Sequence, residues 1–417
     1  DADVLDNAGI IGSAADARLS VATLDNRNRL EAGGTLTLQG GVLHQQAAAT
    51  ALARVLAVDV QKVINDGRLH GQQAMDLRTT ELSNSGVIYG RDRSQLRTTT
   101  LDNAGVIASD GALDVRTDAL HNRAGGNLSS AQSLQLDAVT LDNAGNVFAK
   151  GALTAKADVI DNRGDLYGAG DVDVTVRDSL DNQGSLVAGQ TLQVRGRTLR
   201  SEGELGSERG NVQLSSDQAL VLGGRTLAAG TLTAHAGGSL EQSGKVFAQQ
   251  GVVLSADAGV TLKGTIDSAA DLQVRSDGDL DNEAALFASG ALSLQAAQAL
   301  RTAADVQART VTLQAAQASN RGRVLASGDI DWTSLAALVE YHVGAGTSAI
   351  VAVGTTGESV TLSEQEHIAV VEKTVEYAAG RIPVIAGCGS NNTAHAIALS
   401  RRLAPKGLVA GSSGTPD

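Results

Sequence analysis

The sequence contains very few aromatic residues, prolines and cysteines. Only 2% of its 417 residues are aromatic, and it holds 3 prolines, 1 cysteine and 48 glycines. The single cysteine, Cys388, excludes an internal disulfide framework and any metal site built from several cysteines. The apolar core must be built from Ala, Val, Leu and Ile, a composition that suits regular stacking.

Basic charge and long apolar runs are also scarce. The formal net charge is -13 and the isoelectric point is about 5.0. Binding to a phosphate backbone depends on clustered Lys and Arg, so we expect no nucleic-acid partner. No run approaches the roughly 18 apolar residues of a membrane helix. The opening DADVLDNAG has no signal-like segment, and we expect the chain to be part of a longer protein.

The prolines, the cysteine and the tryptophan all lie in the last part of the chain. Every proline, the cysteine and the tryptophan follow residue 330, at Trp332, Pro383, Cys388, Pro405 and Pro416. This change in composition predicts two domains of different origin, residues 1–329 and 330–417.

A repeat of about 20 residues fills the first domain. One marker of the repeat is LDN or a close variant, found at Leu5, Leu24, Leu82, Leu101, Leu120, Leu141, Ile160, Leu180, Leu240 and Leu280. A second marker is a short segment with apolar residues two apart, starting at Leu19, Leu36, Leu56, Met75, Leu96, Leu113, Leu134, Val172, Leu192, Val212, Leu232, Val252, Leu272, Leu292 and Val311. The spacing indicates about 16 copies.

The alternation within each copy predicts short strands with one buried face. One copy is too small to fold alone, but stacked copies can pair each strand with the same strand of the next copy. Parallel strands are joined by right-handed connections. The sequence therefore predicts an all-β, right-handed parallel β-helix, which at about 4.8 Å for each coil would be a rod of roughly 75 to 80 Å.

The stretch LDNAG, at Leu5–Gly9, Leu101–Gly105 and Leu141–Gly145, is interpreted as the turn of each coil. Asp and Asn tolerate left-handed backbone angles, and glycine supplies a positive φ. Because the coils are stacked, asparagines at equivalent positions should form hydrogen-bonded amide ladders.

Copies such as TLDNAGVIASDGALDVRTDAL and VIDNRGDLYGAGDVDVTV resemble the haemagglutinin repeats of filamentous haemagglutinin-type exoproteins. The resemblance covers about residues 1–329. It implies the shaft of an adhesin or contact-dependent inhibition toxin exported by two-partner secretion, and thus a secreted or bacterial cell-surface location. The implied partners are a receptor on a host or neighbouring cell and an outer-membrane transporter.

The solenoid offers one short candidate binding motif, the RGD of Arg163, Gly164 and Asp165, which integrins read. The alternative, which we favour, is that Gly164 is an ordinary turn glycine, since DNRGDLYG aligns with DNQGSLVA one coil later. The histidines His44, His70, His121 and His235 lack metal-ligand spacing and are predicted to be face or turn residues. The glycine and aspartate repeat of calcium-binding β-rolls is absent, so no metal site is expected.

The tail beyond residue 330 alternates helix and apolar-strand patterns, which is typical of a parallel α/β unit. Ser363 with Glu366 predicts a capping box. The segment from IDWTSL to LSRR, within residues 330–404, resembles dihydrodipicolinate synthase, a (β/α)8-barrel lyase that condenses pyruvate with an aldehyde through a lysine Schiff base. In the GTTGE loop, Thr355 and Thr356 match the family's substrate-binding threonines.

The similarity covers about 30% of a barrel of roughly 250 residues. The tyrosine motif and Schiff-base lysine of the family have no counterpart here, and neither Lys373 nor Lys406 lies where that lysine is expected. A truncated barrel would also leave Val351, Val353, Ile382 and Ile385 without apolar partners. We therefore predict no catalytic residues, no cofactor and no enzyme activity in the tail.

Three hypotheses follow. The first is a structural shaft that mediates adhesion or presents a tip domain. The second is a pyruvate-dependent aldolase-type lyase with a β-helical extension, and trapping of an imine with borohydride separates it from the first. The third is a tail that caps the open end of the β-helix and shields its edge strands.

Overall fold

Each repeat of the sequence forms one coil of a parallel β solenoid with about 16 coils. The structure, a computed structural model, describes residues 2–328, 330–354, 362, 364–387, 399, 401–403 and 410–412. Each coil contributes a short strand to three ladders, named here sheets A, B and C, in which every strand pairs in parallel with its equivalent one coil away. Two compact units result, one of residues 1–306 and 311–324 and one of residues 307–310 and 325–417.

Sheet A holds the LDN strands. Their bounds are Ala2–Asn7, Ala17–Asn26, Arg29–Gln45, Thr50–Asn65, Glu81–Asn84, Thr100–Asn103, Ala119–Asn122, Thr140–Asn143, Leu153–Asn162, Val172–Asn182, Thr198–Ser201, Leu220–Leu222, Ser239–Gln242, Gly259–Leu262, Asp279–Asn282, Ala299–Thr302 and Gln317–Asn320. Several of these strands are long because they continue from a neighbouring sheet without a break.

Sheet B follows the turn after each LDN strand. In addition to parts of Arg29–Gln45 and Thr50–Asn65 it contains Ile10–Ser13, Arg68–Arg78, Val87–Gly90, Val106–Ser109, Asn127–Ser130, Asn146–Ala149, Asp165–Gly168, Ser185–Ala188, Glu204–Ser207, Arg225–Ala228, Lys245–Ala248, Ile266–Ser268 and Leu286–Ala288.

Sheet C holds the strands of the second sequence marker. Besides the long strands already given, it contains Arg93–Arg97, Ala112–Arg116, Leu134–Asp137, Leu192–Gly196, Val212–Ser216, Leu232–Ala236, Val252–Ala256, Leu272–Ser276 and Ala291–Ala296. Three further strands follow in the chain, at Val306–Ala308, Thr310–Gln314 and Val324–Ala326. The prediction of a parallel β solenoid is therefore confirmed.

Alternate residues of every strand point into the solenoid and form columns of aliphatic side chains. Leu101, for example, is fully buried and pairs in register with Leu82 and Leu120 of the adjacent coils. In two early coils the sequence pattern places the second marker two residues too late. The residue equivalent to Leu113 is Ser94 rather than Leu96, and the residue equivalent to Leu36 is Ala17 rather than Leu19.

The predicted amide ladder is present inside sheet A. The Nδ2 atom of each buried asparagine donates to the side-chain oxygen of the next coil at 2.6 to 2.8 Å, along the series Asn65, Asn84, Asn103, Asn122, Asn143, Asn162 and Asn182. Asn182 continues it to the Ser201 hydroxyl at 3.0 Å. A shorter series joins Asn7, Asn26 and Gln45. These bonds satisfy polar groups that would otherwise be costly to bury.

The predicted turn conformation is wrong in two respects. Asp102 and Asn103 are the last residues of a strand, with Asn103 facing inward, so the tight turn begins only at Ala104. Among the described residues, positive φ angles occur at Val353, Ala379 and six glycines, and Gly105, Gly145 and Gly164 are not among them. Glycine is required there because the coils stack closely: a Cβ atom on Gly164 would lie 2.0 Å from the Gly145 carbonyl oxygen.

The carboxyl-terminal unit is a partial α/β fold. Helix α1 spans Trp332–Gly344, and the Asp331 side chain caps it by accepting from the Ser334 amide at 2.8 Å. Helix α2 spans Glu364–Ala378. The strands Ile350–Ala352, Val384–Gly387 and Ala410–Ser412 form a parallel sheet in that order. The predicted alternation of helix and strand is confirmed over residues 332–387, while Ser363 of the predicted capping box lies outside the described residues.

The apolar side chains of this unit are better covered than the sequence predicted. Val351 is 54% exposed, as expected of a barrel segment without its remaining strands. Val353 and Ile382, which were predicted to lack partners, are only 7% and 5% exposed, because they pack in a small core with Val371 and Val384. Neither helix of the described part is long and apolar enough to cross a bilayer.

Candidate functional site

The RGD tripeptide lies at the turn between a sheet A strand and a sheet B strand. Arg163 is exposed, and its guanidinium forms an ion pair with Asp142 of the preceding coil and lies 3.6 Å from Asp161. The hydrogen bond to Asp142 raises the pKa of Arg163. Asp165 is exposed, and its backbone amide donates to the Gly145 carbonyl at 3.0 Å.

The contact made by Arg163 recurs at turns that have no RGD sequence. Arg123 pairs in the same way with Asp102, and Arg27 lies 3.1 Å from Asp6. In each case the arginine follows the LDN strand and reaches the aspartate of the same motif one coil earlier. The recurrence supports the interpretation of Arg163 as a residue that links coils.

The histidines are separated on the outer faces of the solenoid. His44 lies 3.5 Å from both Asp25 and Asp66, but each of these carboxylates comes from a different coil. His121 lies 3.7 Å from Asp142, and His235 lies 3.9 Å from Asp257. Within the part of the chain that the structure describes, no group of three or more His, Cys, Asp or Glu side chains could hold a metal ion.

A row of aromatic side chains on sheet B was missed in the sequence. All three phenylalanines of the chain and two of its four tyrosines occupy the same outward position of successive coils. From His70 onward this position, named here the aromatic row, holds His70, Tyr89, Ala108, Ser129, Phe148, Tyr167, Val187, Gly206, Leu227, Phe247, Asp267 and Phe287. The row could have been found from the aromatic residue at the third position of segments such as NVFA, DLYG and KVFA.

The aromatic row carries interactions of its own. The rings of Phe148 and Tyr167 stack at 5.6 Å between centroids, with an angle of 10° between their planes. The Tyr89 hydroxyl donates to Asp110, which raises the pKa of Tyr89 to about 12. Burial between its neighbours raises the pKa of Asp267. The row is therefore an apolar surface with polar groups at defined positions.

The carboxyl-terminal unit contains a cavity of about 530 Å³. Its lining is mainly aliphatic and comes from α1, the strand Ile350–Ala352 and α2, with Glu366, His342 and Thr374 as polar members. Thr355 and Thr356, the predicted substrate-binding threonines, lie outside the described residues. Lys373 is on α2, as predicted, and its Nζ pairs with Glu376 at 2.7 Å.

Comparison with known families divides the chain at the same region. Residues 1–167, 148–224, 227–284 and 282–334 match the Haemagglutinin repeat family. Residues 323–416 match the Dihydrodipicolinate synthetase family.

Individual synthases are similar to a segment of about 90 residues of this chain. The 4-hydroxy-tetrahydrodipicolinate synthases of Shewanella pealeana and Shewanella denitrificans are each 58% identical over 89 residues, which is 21% of this chain and 30% of theirs. The chain thus spans about 30% of the length of these curated relatives. The dihydrodipicolinate synthase structure from Aquifex aeolicus is 45% identical over 21% of this chain and 29% of its own, with a TM-score of 0.20.

Proposed function

Because this chain belongs to the haemagglutinin-repeat family, we propose that it is the structural shaft of a secreted bacterial adhesin or contact-dependent inhibition toxin. The observation that carries the proposal is the solenoid itself, which matches the repeats of a filamentous haemagglutinin-like shaft from its first residue to residue 334. In this role the shaft mediates adhesion or presents a tip domain.

The construction of the solenoid supports a mechanical role. Coils are joined inside by the amide ladder and outside by ion pairs between successive coils, such as Arg123 with Asp102 and Lys263 with Glu241. Because contacts of these kinds join neighbouring coils, the stability of the structure is a sum over neighbours and its length follows from the number of repeats.

We place the protein on the bacterial surface or in the medium. Its proposed partners are a receptor on a host or neighbouring cell and the outer-membrane transporter used in two-partner secretion. Antibodies raised against the full chain should label intact cells of the source bacterium or recognise the protein in the culture medium. A cytosolic control protein must remain unlabelled. Detection of the chain only after cell lysis would contradict the proposal.

The RGD tripeptide remains a weaker candidate for receptor binding. Arg163 is engaged by Asp142, and integrins read the motif through a free arginine and a free carboxylate. We expect Asp165→Glu, which keeps the charge but changes its reach, to leave adhesion of integrin-bearing cells unchanged. The matched control is Asp171→Glu on the same coil. Loss of adhesion in Asp165→Glu but not in Asp171→Glu would show that the RGD tripeptide binds the receptor.

A second candidate function is that of a pyruvate-dependent aldolase-type lyase. The observation in its favour is the 58% identity over 89 residues to two such synthases. We propose that this chain does not catalyse the reaction. It spans about 30% of the length of those enzymes, and Lys373 forms an exposed ion pair with Glu376.

A further inference from the structure

The aromatic row contains three exposed phenylalanines. Phe148, Phe247 and Phe287 are 41%, 40% and 41% exposed. Single exposed apolar residues are normal on a protein surface, but apolar side chains that recur along one sheet mark an interaction surface. Elsewhere on the solenoid, outward positions are mainly small, polar or charged.

The aromatic row is approximately symmetric about Gly206 over two coils in each direction. Gly206 has no side chain, and its neighbours in register are Val187 on one side and Leu227 on the other. One coil further out lie Tyr167 and Phe247. Side chains of similar size thus lie at equal distances on both sides of Gly206 over two coils. Three coils away Phe148 corresponds to Asp267, and four coils away Ser129 corresponds to Phe287.

Two of the charges beside the row are symmetric about the same centre, whereas Arg225 corresponds to the uncharged Ser185. Asp165 lies two residues before Tyr167 in its strand, and Lys245 lies two residues before Phe247. Both side chains are exposed, and neither has an ion-pair partner within the described residues. They have opposite charge and lie at equal distances from Gly206, on the same side of the aromatic row.

We propose that sheet B binds a second copy of this chain in an antiparallel arrangement, with a two-fold axis through Gly206 along the strand direction. This rotation places Tyr167 of one copy against Phe247 of the other. It also places Asp165 opposite Lys245 on both sides of the axis, so that two ion pairs form. A two-fold interface of this kind is self-complementary.

A second copy fits this surface better than another partner because it has the same spacing between coils. Rows that repeat at about 4.8 Å stay in register over their whole overlap. A parallel arrangement would not pair the charges, because rotation about the solenoid axis moves Asp165 and Lys245 to the opposite side of the row. Glu204 lies on the axis and would face its own copy, but Arg225, 3.8 Å away, offsets this charge within each chain.

The size of the overlap predicts a weak dimer. From Ser129 to Phe287 the row is roughly 40 Å long, and a strand of four residues is about 13 Å wide. The product, about 500 Å² for each copy, is below the roughly 800 Å² of a stable interface. Association should therefore depend strongly on concentration.

Sedimentation equilibrium of the full chain tests the charge pairing. We expect a monomer–dimer equilibrium that is weakened at least about tenfold by Asp165→Lys or Lys245→Asp, since each variant places like charges together. The double variant should recover most of the affinity. Lys156→Asp, a matched charge reversal on sheet C, should have no effect.

Cross-linking tests the orientation. In a Cys388→Ser background, Gly206→Cys should give a dimer with a short bis-maleimide. A side chain is tolerated there, because a Cβ atom would lie 3.4 Å from Val187 Cγ2. Ser129→Cys and Phe287→Cys should each fail alone but give a dimer when mixed.

Two results would overturn the proposal. One is a protein that stays monomeric at every concentration. Binding of an oligosaccharide to the aromatic row of such a monomer would assign the row to a different partner. The other is a dimer that is insensitive to the charge reversals or that cross-links through Ser129→Cys alone. Circular dichroism of each variant shows that it retains the β fold.

Discussion

The Nδ2 atom of Asn103 donates to the Oδ1 atom of Asn122 at 2.8 Å, one coil further along the solenoid. Asn103 also accepts from Asn84 at 2.7 Å, so it is bonded on both sides. Replacing Asn103 by Leu removes both bonds. The Asn122 Oδ1 atom then loses its donor, and Asn84 Nδ2 keeps only bonds of 3.3 Å to the Gly86 and Val106 carbonyls. Because an unsatisfied buried group costs about 1 to 3 kcal/mol, we expect Asn103→Leu to destabilise the solenoid by about 1 to 3 kcal/mol in guanidinium unfolding.

Gln242 provides the matched control. It occupies the same inward column but lies between Leu222 and Leu262, and its Oε1 atom has no hydrogen-bond partner. Gln242→Leu removes an unsatisfied acceptor and joins two apolar neighbours, but it also removes the 2.7 Å hydrogen bond from Nε2 to the Gly244 carbonyl. Its destabilising effect should therefore be smaller than that of Asn103→Leu. Equal destabilisation by the two substitutions would show that the ladder adds nothing beyond packing.

The glycines of the turn should differ sharply from the glycine of the aromatic row. A Cβ atom on Gly164 would lie 2.0 Å from the Gly145 carbonyl oxygen, which forces adjacent coils apart. We expect Gly164→Ala to lower the free energy of unfolding by about 1 to 3 kcal/mol, the usual cost of overpacking. Gly206→Ala, whose Cβ atom makes only ordinary contact, should change it by less than about 0.5 kcal/mol. Similar losses in both variants would contradict the stacking explanation.

The repeat allowed the coils, the inward leucines and the amide ladder to be predicted, because each follows from a pattern of period two inside a pattern of about 20. The prediction that LDN forms the turn was wrong because Asp and Asn, although frequent in turns, here end a strand. The burial of Asn103 is visible only once Leu101 is seen to point inward two residues earlier. The aromatic row was missed because its consecutive aromatic residues lie about 20 to 80 residues apart in sequence. Only the register of sheet B brings Phe148 and Phe247 onto one line.

Tyr89 should titrate at an unusually high pH. Its hydrogen bond to the Asp110 carboxylate raises its pKa to about 12, so the contribution of this contact to stability is complete below about pH 10 and is lost as the pH rises towards 12. Asp110→Asn should return the pKa of Tyr89 towards about 10. Spectrophotometric titration measures the tyrosinate, and Tyr89→Phe identifies which transition is lost. An unchanged titration curve in Asp110→Asn would exclude the contact in solution.

Removing residues 330–417 tests whether the tail caps the solenoid. If it does, the truncated chain exposes unpaired strand edges and should associate end to end. Light scattering at increasing concentration measures this association. The truncated chain with Lys245→Asp serves as the control, since that substitution weakens lateral pairing through sheet B but leaves the strand ends unchanged. A truncated rod that does not associate further would exclude the capping role.

The tail should not form a covalent adduct with pyruvate. An amine attacks a carbonyl only when it is uncharged, and enzymes that use a lysine nucleophile lower its pKa. The hydrogen bond to Glu376 acts in the opposite direction and raises the pKa of Lys373, so this amine stays protonated at neutral pH. Treatment with pyruvate and borohydride, followed by mass spectrometry, should therefore leave the chain unmodified, while the full-length synthase of Shewanella pealeana serves as the positive control. A reduced adduct on Lys373 or Lys406 would show that the segment retains imine chemistry, and the aldolase hypothesis would then take precedence for this part of the chain.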